Sequence, residues 1–392
     1  MTAIDLPGKV VAALASVLPG KCGLHEPEFA GHEWDYVKDC LDTGWVSSVG
    51  AYVDRFEAML AERVGVHAIA TVNGTAALQV ALTVAGVKAG DEVVVPALTF
   101  VGTANAVSHC GAFPHFADVE ALTLGLDPVA LDRWLADIGR RQGGELVNRL
   151  TGRPIRAVVC VHVFGHPVQL DQLAEVCARY GLVLIEDAAE SLGSYYKGRH
   201  TGGCARLGVL SFNGNKIITT GGGGAILSSD PELAAAAKRL TTTAKRPHRW
   251  EFFHDEVAFN YRLPNLNAAL GCAQLEQLDG FVERKRALAA QYRQAFAGMA
   301  GVSFFTERDF AKSNYWLCAI VLDNANRDLR DGVLEATNDS GFMTRPVWMP
   351  LHTLPMYQSM PRADLSCAED MADRIVNLPS SPRLASADRG EV

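Results

Sequence analysis

The sequence predicts an α/β protein in which a mainly parallel sheet forms a large domain and a smaller α/β domain follows it. Three observations support this prediction. Short apolar runs alternate with helical segments between residues 68 and 189, as expected where a crossover helix follows each parallel strand. The alternation ends near residue 265. A chain of 392 residues with 48% apolar content is long enough to bury two such cores.

The alternation assigns its elements in order. Apolar runs of strand length predict β-strands at residues 68–72, 91–100, 113–119, 155–165 and 182–189. Apolar residues with helical spacing predict helices at residues 73–86, 103–111, 126–138 and 171–181. Ligands of such sheets bind beyond the carboxyl ends of the strands, so functional residues are expected there.

The remaining segments define the predicted domain organisation. The polar stretch 141–154 is predicted to be a surface excursion, and residues 265–299 a long connecting helix. Apolar runs at 302–306 and 315–323 and a helical pattern near 327–340 then predict the smaller sheet and its cover. We therefore predict a large domain over 24–265, a small domain over 266–392 and an N-terminal extension over 1–23.

Composition and charge exclude several classes of function. A formal net charge of −8 argues against a nucleic-acid or anionic-membrane partner. No apolar run has membrane-spanning length and no convincing signal-peptide cleavage site follows the N-terminus, so a cytoplasmic location is expected. The nine cysteines include no C-x-x-C pair, which predicts reduced thiols and no metal site.

Three polar features lie at predicted strand ends. Gly74 and Thr75 follow the first strand and begin a helix, where an anion could bind, although this motif alone favours an ordinary helix cap. Asp187 and Glu186 end a very apolar strand and face opposite sides of the sheet. Lys216 lies between an apolar strand and four consecutive glycines, either at a solvated turn or close to a ligand. A lysine, a carboxylate and an anion-binding turn are the three parts that hold pyridoxal phosphate.

The chain resembles the DegT/DnrJ/EryC1/StrS family of sugar aminotransferases over nearly its whole length. The resemblance implies a fold-type I pyridoxal-phosphate enzyme, and within the family it is greatest to the LegC-type branch. The motifs that carry it are LHEPEFAGHEWDYVKDCLDTGWVSSVGAYVDRFE, NGTAAL, PALTFVGTANAV, IEDAAESLGSYYKGRHTGG, SFNGNKIITTGGGGA, FNYRLPNLNAALGCAQLEQL, RPVWMPLH and NLPSS.

The resemblance implies roles for individual residues. Lys216 would bond covalently to the cofactor and move the proton, and Asp187 would pair with the pyridine nitrogen. The residues implied to contact the cofactor phosphate or ring are Gly74, Thr75, Ser211 and Phe100. Glu190 would lie near the cofactor hydroxyl, where many relatives carry histidine or glutamine. Asn260 would reach the phosphate of a neighbouring subunit's cofactor, which implies a homodimer with shared active sites.

The implied reaction moves an amino group from L-glutamate, through pyridoxamine phosphate, to the C4 ketone of a UDP-linked 2-acetamido-2,6-dideoxy-4-ketohexose for surface-glycan synthesis. Arg345, Trp348 and His352 are candidates for the substrate mouth, with local packing an equal alternative for Trp348. A C3 aminotransferase, a dehydratase or a non-catalytic cofactor-binding regulatory module remains an alternative. Lys216 argues against a dehydratase, because dehydratases of the family carry histidine there.

Overall fold

The computed structural model describes residues 6–385 and shows an α/β protein built on two larger sheets, of nine and four strands, with two small sheets of two and three strands. The α-helices within these residues are α1 (Leu6–Val17), α2 (Glu33–Thr43), α3 (Ala51–Val64), α4 (Gly74–Val84), α5 (Gly102–His109), α6 (Pro128–Ile138), α7 (Leu170–Tyr180), α8 (Pro231–Thr241), α9 (Asn265–Glu276), α10 (Leu278–Ala295), α11 (Arg327–Asp339) and α12 (Ser366–Ala372).

The strands are mostly short, and several lie outside the predicted set. In the described part of the chain they are β1 (His67–Thr71), β2 (Glu92–Pro96), β3 (Phe113–Ala117), β4 (Gly139–Gln142), β5 (Glu145–Asn148), β6 (Pro154–Val161), β7 (Val183–Asp187), β8 (Tyr195–Tyr196), β9 (Arg199–His200), β10 (Leu207–Ser211), β11 (Gly224–Ser228), β12 (Lys245–Arg246), β13 (Phe253–His254), β14 (Val302–Phe304), β15 (Ala311–Lys312), β16 (Cys318–Leu322), β17 (Arg345–Pro346) and β18 (Ile375–Leu378).

The central sheet has the strand order β1-β11-β10-β7-β6-β2-β3 and is mainly parallel, as predicted. Strand β11 alone on this path runs antiparallel to its neighbours, β1 and β10. The carboxyl ends of β1, β2, β7 and β10 therefore meet at one edge of the sheet. The strands are nearly all apolar and buried, since helices cover both faces.

The predicted surface excursion contains a hairpin. Strands β4 and β5 pair with each other, and β5 also pairs with the start of β6, which extends the central sheet. The segment predicted as one helix from residue 265 is two helices, α9 and α10, which meet at Gln277.

A second sheet, with the order β14-β16-β18-β17, follows in the chain. Helices α1, α10 and α11 pack on it around a separate apolar core that includes Leu14, Tyr292 and Ile320. The N-terminal helix thus belongs to the layer over the second sheet, although it comes first in the sequence. The domain boundary at residues 265 and 266 stays a prediction. Among residues 6–385, no helix combines the length and apolar character that crossing a bilayer requires.

Candidate active site

The carboxyl ends of the central strands open into a cavity of about 410 Å³. Lys216 and Asp187 both line this cavity, together with the start of α4 and the segment that follows β2. The sheet direction explains this convergence, because β2, β7 and β10 all end at the same edge. Residues far apart in the chain thereby form one site.

The start of α4 points into the cavity. The Asn73 side chain caps the helix and accepts a hydrogen bond from the Ala76 N–H at 2.8 Å. The N–H groups of Gly74 and Thr75 come before that point and have no acceptor within the helix. With the positive end of the helix dipole, they form a site suited to an anionic phosphate.

Two glycines allow the helix start to approach the sheet closely. A Cβ atom on Gly74 would lie 2.9 Å from the Cβ of Ser211, and one on Gly224 would lie 2.5 Å from the carbonyl carbon of Asn73. Gly224, the last of the four consecutive glycines 221–224, thus packs against the start of α4.

The adjacent acids at the end of β7 face opposite sides of the sheet, as expected. Glu186 is buried away from the cavity, where it accepts hydrogen bonds from backbone N–H groups and contacts the His162 ring at 3.0 Å. Asp187 lines the cavity and accepts a hydrogen bond from the Thr103 hydroxyl at 2.8 Å. Burial raises the pKa of Asp187, and the Thr103 hydroxyl opposes this rise. A cationic ligand group would stabilise this buried carboxylate.

Lys216 extends across the cavity from the turn that follows β10. Its amine lies 3.4 Å from the Glu190 carboxylate and 3.9 Å from the centre of the Trp316 ring. The Lys216 side chain is only 12% exposed. Burial raises the pKa of Glu190, while the Lys216 charge and the hydrogen bond from the Phe164 N–H act against the rise. The lysine is therefore held inside the cavity and is not at a solvated turn.

The structure brings most of the predicted cofactor residues together. The cavity lining includes Gly74, Thr75, Phe100, Asp187, Glu190, Ser211 and Lys216. Asn260 is exposed and does not line this cavity, so its predicted contact with a neighbouring subunit stays a prediction.

The three substrate candidates occupy different places. Trp348 lines the cavity and packs against Phe164, with the two ring centres 5.3 Å apart. Arg345 is exposed, and its guanidinium donates a hydrogen bond to the Thr344 carbonyl oxygen. His352 is buried, and its Nε2 atom lies 2.9 Å from Glu369 Oε1. Neither Arg345 nor His352 lines the cavity, and their substrate roles stay predictions.

Among the lining residues that were not predicted, two contact the predicted pair of Asp187 and Lys216. Thr103, in the first turn of α5, donates a hydrogen bond to Asp187, and Trp316 lies against Lys216. Thr103 lies in the PALTFVGTANAV motif, so its position just beyond a strand end was an available signal. Trp316 precedes a strand of the second sheet, and only the folded structure places it beside a lysine 100 residues earlier.

Comparison with known proteins identifies the family. The model of the DegT/DnrJ/EryC1/StrS aminotransferase family matches residues 27–392. A GDP-perosamine synthase from Vibrio cholerae is 36% identical, with 94% of this chain and 96% of that protein covered. The putative pyridoxal phosphate-dependent aminotransferase EpsN of Bacillus subtilis (strain 168) is 38% identical, with coverage of 95% and 94%.

The fold agrees with that of solved aminotransferases. The structure of the aminotransferase TlmJ from Streptoalloteichus hindustanus has a TM-score of 0.84 and 29% identity, over 94% of this chain and 96% of that chain. The fold-type I architecture and the dependence on pyridoxal phosphate predicted from the sequence are thus confirmed. The chain belongs to the DegT/DnrJ/EryC1/StrS family of pyridoxal phosphate-dependent aminotransferases.

Proposed function

We propose that this protein transfers an amino group from L-glutamate to the C4 ketone of a nucleotide-linked 6-deoxy-4-ketohexose. The observation that carries the proposal is the meeting of Lys216, Asp187 and the start of α4 in one cavity. Lys216 supplies an amine, Asp187 a carboxylate and the start of α4 an anion-binding site, and pyridoxal phosphate requires these three groups.

The residues present fit this cofactor. The free N–H groups of Gly74 and Thr75 suit its phosphate, and Ser211 lies beside them. Burial raises the pKa of the Asp187 carboxyl, and a protonated pyridine nitrogen would supply a cation that stabilises its charged form. When bound, the cofactor supplies an electron-withdrawing ring and a carbon that accepts and returns the amino group.

Each side chain then has a defined task. Asp187 would keep the ring nitrogen of the bound cofactor protonated, and Thr103 orients the Asp187 carboxylate through its 2.8 Å hydrogen bond. Lys216 is the base that would accept a proton from the amino donor and return it to the cofactor carbon, because its amine lies in the cavity. There the amine is 3.4 Å from the Glu190 carboxylate. The start of α4 would hold the phosphate end of the cofactor in the cavity that Lys216 also lines.

The identity of the sugar is the finer part of the proposal. The sequence motifs favour a UDP-linked 2-acetamido-2,6-dideoxy-4-ketohexose, whereas three relatives at 36–37% identity are GDP-perosamine synthases. Both alternatives are C4 aminations of a nucleotide-linked 6-deoxy sugar. The sequence motifs and the relatives therefore both support amination at C4. The two candidate substrates differ in their nucleotide and in the substituent at C2.

A half-reaction assay tests the proposal. The protein is converted to its pyridoxamine form with L-glutamate, freed of excess donor, and offered UDP-, GDP- and dTDP-linked 4-keto-6-deoxy sugars separately. We expect the long-wavelength absorbance of the lysine-bound cofactor to return with one of them. Return only with the UDP-linked 2-acetamido sugar would support the first alternative, and return only with the GDP-linked sugar would support the second. No return with any sugar would contradict the proposal.

Two variants test the assigned roles. Lys216→Ala should lower turnover by about a thousandfold or more while the folded protein still binds pyridoxamine phosphate. Asp187→Asn should retain part of the cofactor and lose about a hundredfold or more in turnover, because the amide no longer holds the ring nitrogen protonated. Full activity of Lys216→Ala would disprove the assignment.

A further inference from the structure

The Lys216 amine lies over the face of an aromatic ring. Its Nζ atom is 3.9 Å from the centre of the Trp316 ring. Within residues 6–385, its one hydrogen-bonding or ionic neighbour is the Glu190 carboxylate at 3.4 Å. An ammonium group on the face of an indole is stabilised relative to the neutral amine, because the ring face carries partial negative charge.

Trp316 is fixed at each of its polar atoms. The indole N–H donates to the Asn215 carbonyl oxygen at 2.7 Å, on the residue just before Lys216. The backbone N–H donates to Asn314 Oδ1 at 2.8 Å, and the carbonyl oxygen accepts from Lys285 Nζ at 3.1 Å. Trp316 as a whole residue is 3% exposed. Its position relative to the lysine is thus set by hydrogen bonds as well as by packing.

The hydrogen bonds that hold Trp316 also extend to Glu190, the other residue that contacts the Lys216 amine. The Asn314 side-chain amide donates to the carbonyl oxygens of Glu190 at 3.0 Å and Leu192 at 2.8 Å. Asn314 therefore connects the backbone of Trp316 to the backbone of Glu190. Both groups that contact the Lys216 amine are held in one hydrogen-bonded unit.

We propose that Trp316 is a positioning residue, whose indole face holds the Lys216 ammonium inside the cavity whenever the lysine is free of the cofactor. The inference rests on the proposed function of Lys216. A free lysine side chain has several rotatable bonds, and a proton transfer requires the amine to stay close to the reacting carbon. The ring provides attraction without the strong hydrogen bond that would keep the amine from leaving.

Chemical labelling of the cofactor-free protein tests this role without using activity. Competitive acetylation with acetic anhydride is followed at Lys216 by peptide mass spectrometry, from about pH 7 to about pH 10. Trp316→Leu removes the ring, and we expect the midpoint pH of labelling to fall by about half to one unit. Trp316→Phe keeps a weaker ring face and should give a smaller fall.

A matched control is Trp348→Leu, which removes the other tryptophan of the same cavity; that ring contacts Phe164. Its labelling midpoint should equal that of the wild type. Greater access alone would raise the labelling rate at every pH without moving the midpoint. An unchanged midpoint in Trp316→Leu would overturn the inference, as would an equal shift in Trp348→Leu. If Trp316→Leu does not fold, an unchanged midpoint in Trp316→Phe has the same meaning.

A parallel measurement separates this inference from the proposed function. Borohydride reduction of the holoenzyme should fix the cofactor on Lys216, as mapped by mass spectrometry. Absence of that attachment would contradict the proposed function, whereas attachment with an unchanged labelling midpoint would contradict only the role of Trp316.

Discussion

Lys285 is a fully buried amine among three consecutive basic residues of α10. Its Nζ atom donates to the carbonyl oxygens of Trp316 and Ser380. Burial lowers the pKa of Lys285 from 10.5 to about 7. The neighbouring Arg284 and Arg286 form ion pairs with Glu28 and Glu307, so the helix turns only the middle residue into the core.

This burial predicts a pH-dependent stability. Between about pH 7 and pH 10 the unfolded chain keeps a proton on Lys285 that the folded protein has released. The unfolded state binds more protons in this range, so stability rises with pH. Relative to Lys285→Met, the wild-type free energy of unfolding should rise by about 1 kcal/mol per pH unit from about pH 7 to pH 9.

Urea denaturation at several pH values provides the measurement. Loss of the two hydrogen bonds shifts the Lys285→Met free energy of unfolding by the same amount at each pH, so the slope of the difference reports the titration. Lys88→Met, at an exposed lysine, serves as the control and should show no slope. A constant difference between Lys285→Met and the wild type would show that Lys285 stays protonated in the fold.

The residue scale also shows where sequence reasoning ends. Asp187 was predicted because a carboxylate at the end of an apolar strand is costly without a partner. Trp316 and Lys285 carry no such local signal: one precedes an apolar strand and the other lies among charged residues. Their environments depend on contacts between segments distant in the chain, which local patterns do not encode.

The contact between β11 and α4 gives a prediction about an element. A Cβ atom at Gly224 would lie 2.5 Å from the carbonyl carbon of Asn73 and 2.7 Å from the amide nitrogen of Gly74. These are backbone atoms, so Gly224→Ala must displace the start of α4. We expect pyridoxal phosphate to bind about tenfold or more weakly, and the protein to lose about 1–3 kcal/mol of stability.

Gly222, two residues earlier in the same glycine run, provides the control. A Cβ atom at Gly222 would have its nearest neighbour, the Val72 carbonyl oxygen, at 3.9 Å. Gly222→Ala should therefore leave cofactor affinity and thermal stability close to the wild-type values. Fluorescence titration of each cofactor-free variant with pyridoxal phosphate compares them. Equal affinities for the two alanine variants would contradict the argument that Gly224 sets the position of the helix.

At this scale the sequence predicts the alternating strands and helices well, because fully buried parallel strands are short, continuous apolar runs. It does not reveal that β11 lies antiparallel between β1 and β10. An apolar run carries no information about strand direction. The β4–β5 hairpin was read as a surface excursion because its residues are polar, and the break at Gln277 has neither proline nor glycine to mark it.

At the scale of the whole molecule, one stretch of the chain exposes an unusual number of large apolar side chains. Those between residues 29 and 49 are Phe29, Trp34, Leu41, Trp45, Val46 and Val49. Exposed apolar groups so close in sequence favour an interface with another protein surface. Together with the exposed position of Asn260, they support the predicted homodimer, in which each active site would draw a residue from the other subunit.

Complementation between two inactive variants tests this arrangement. If Asn260 binds the phosphate of the neighbouring subunit's cofactor, Lys216→Ala and Asn260→Ala damage the same site from different subunits. A hybrid dimer then has one intact site and one doubly altered site. Random exchange makes about half of the dimers hybrid, so the mixture should reach about a quarter of wild-type activity. Differently tagged subunits, purified through both tags, measure exchange directly. Asn260→Ala must first prove inactive by itself. Hybrid dimers that then stay inactive would show that Asn260 acts within its own subunit, because the sharing of sites requires each hybrid to contain one complete set.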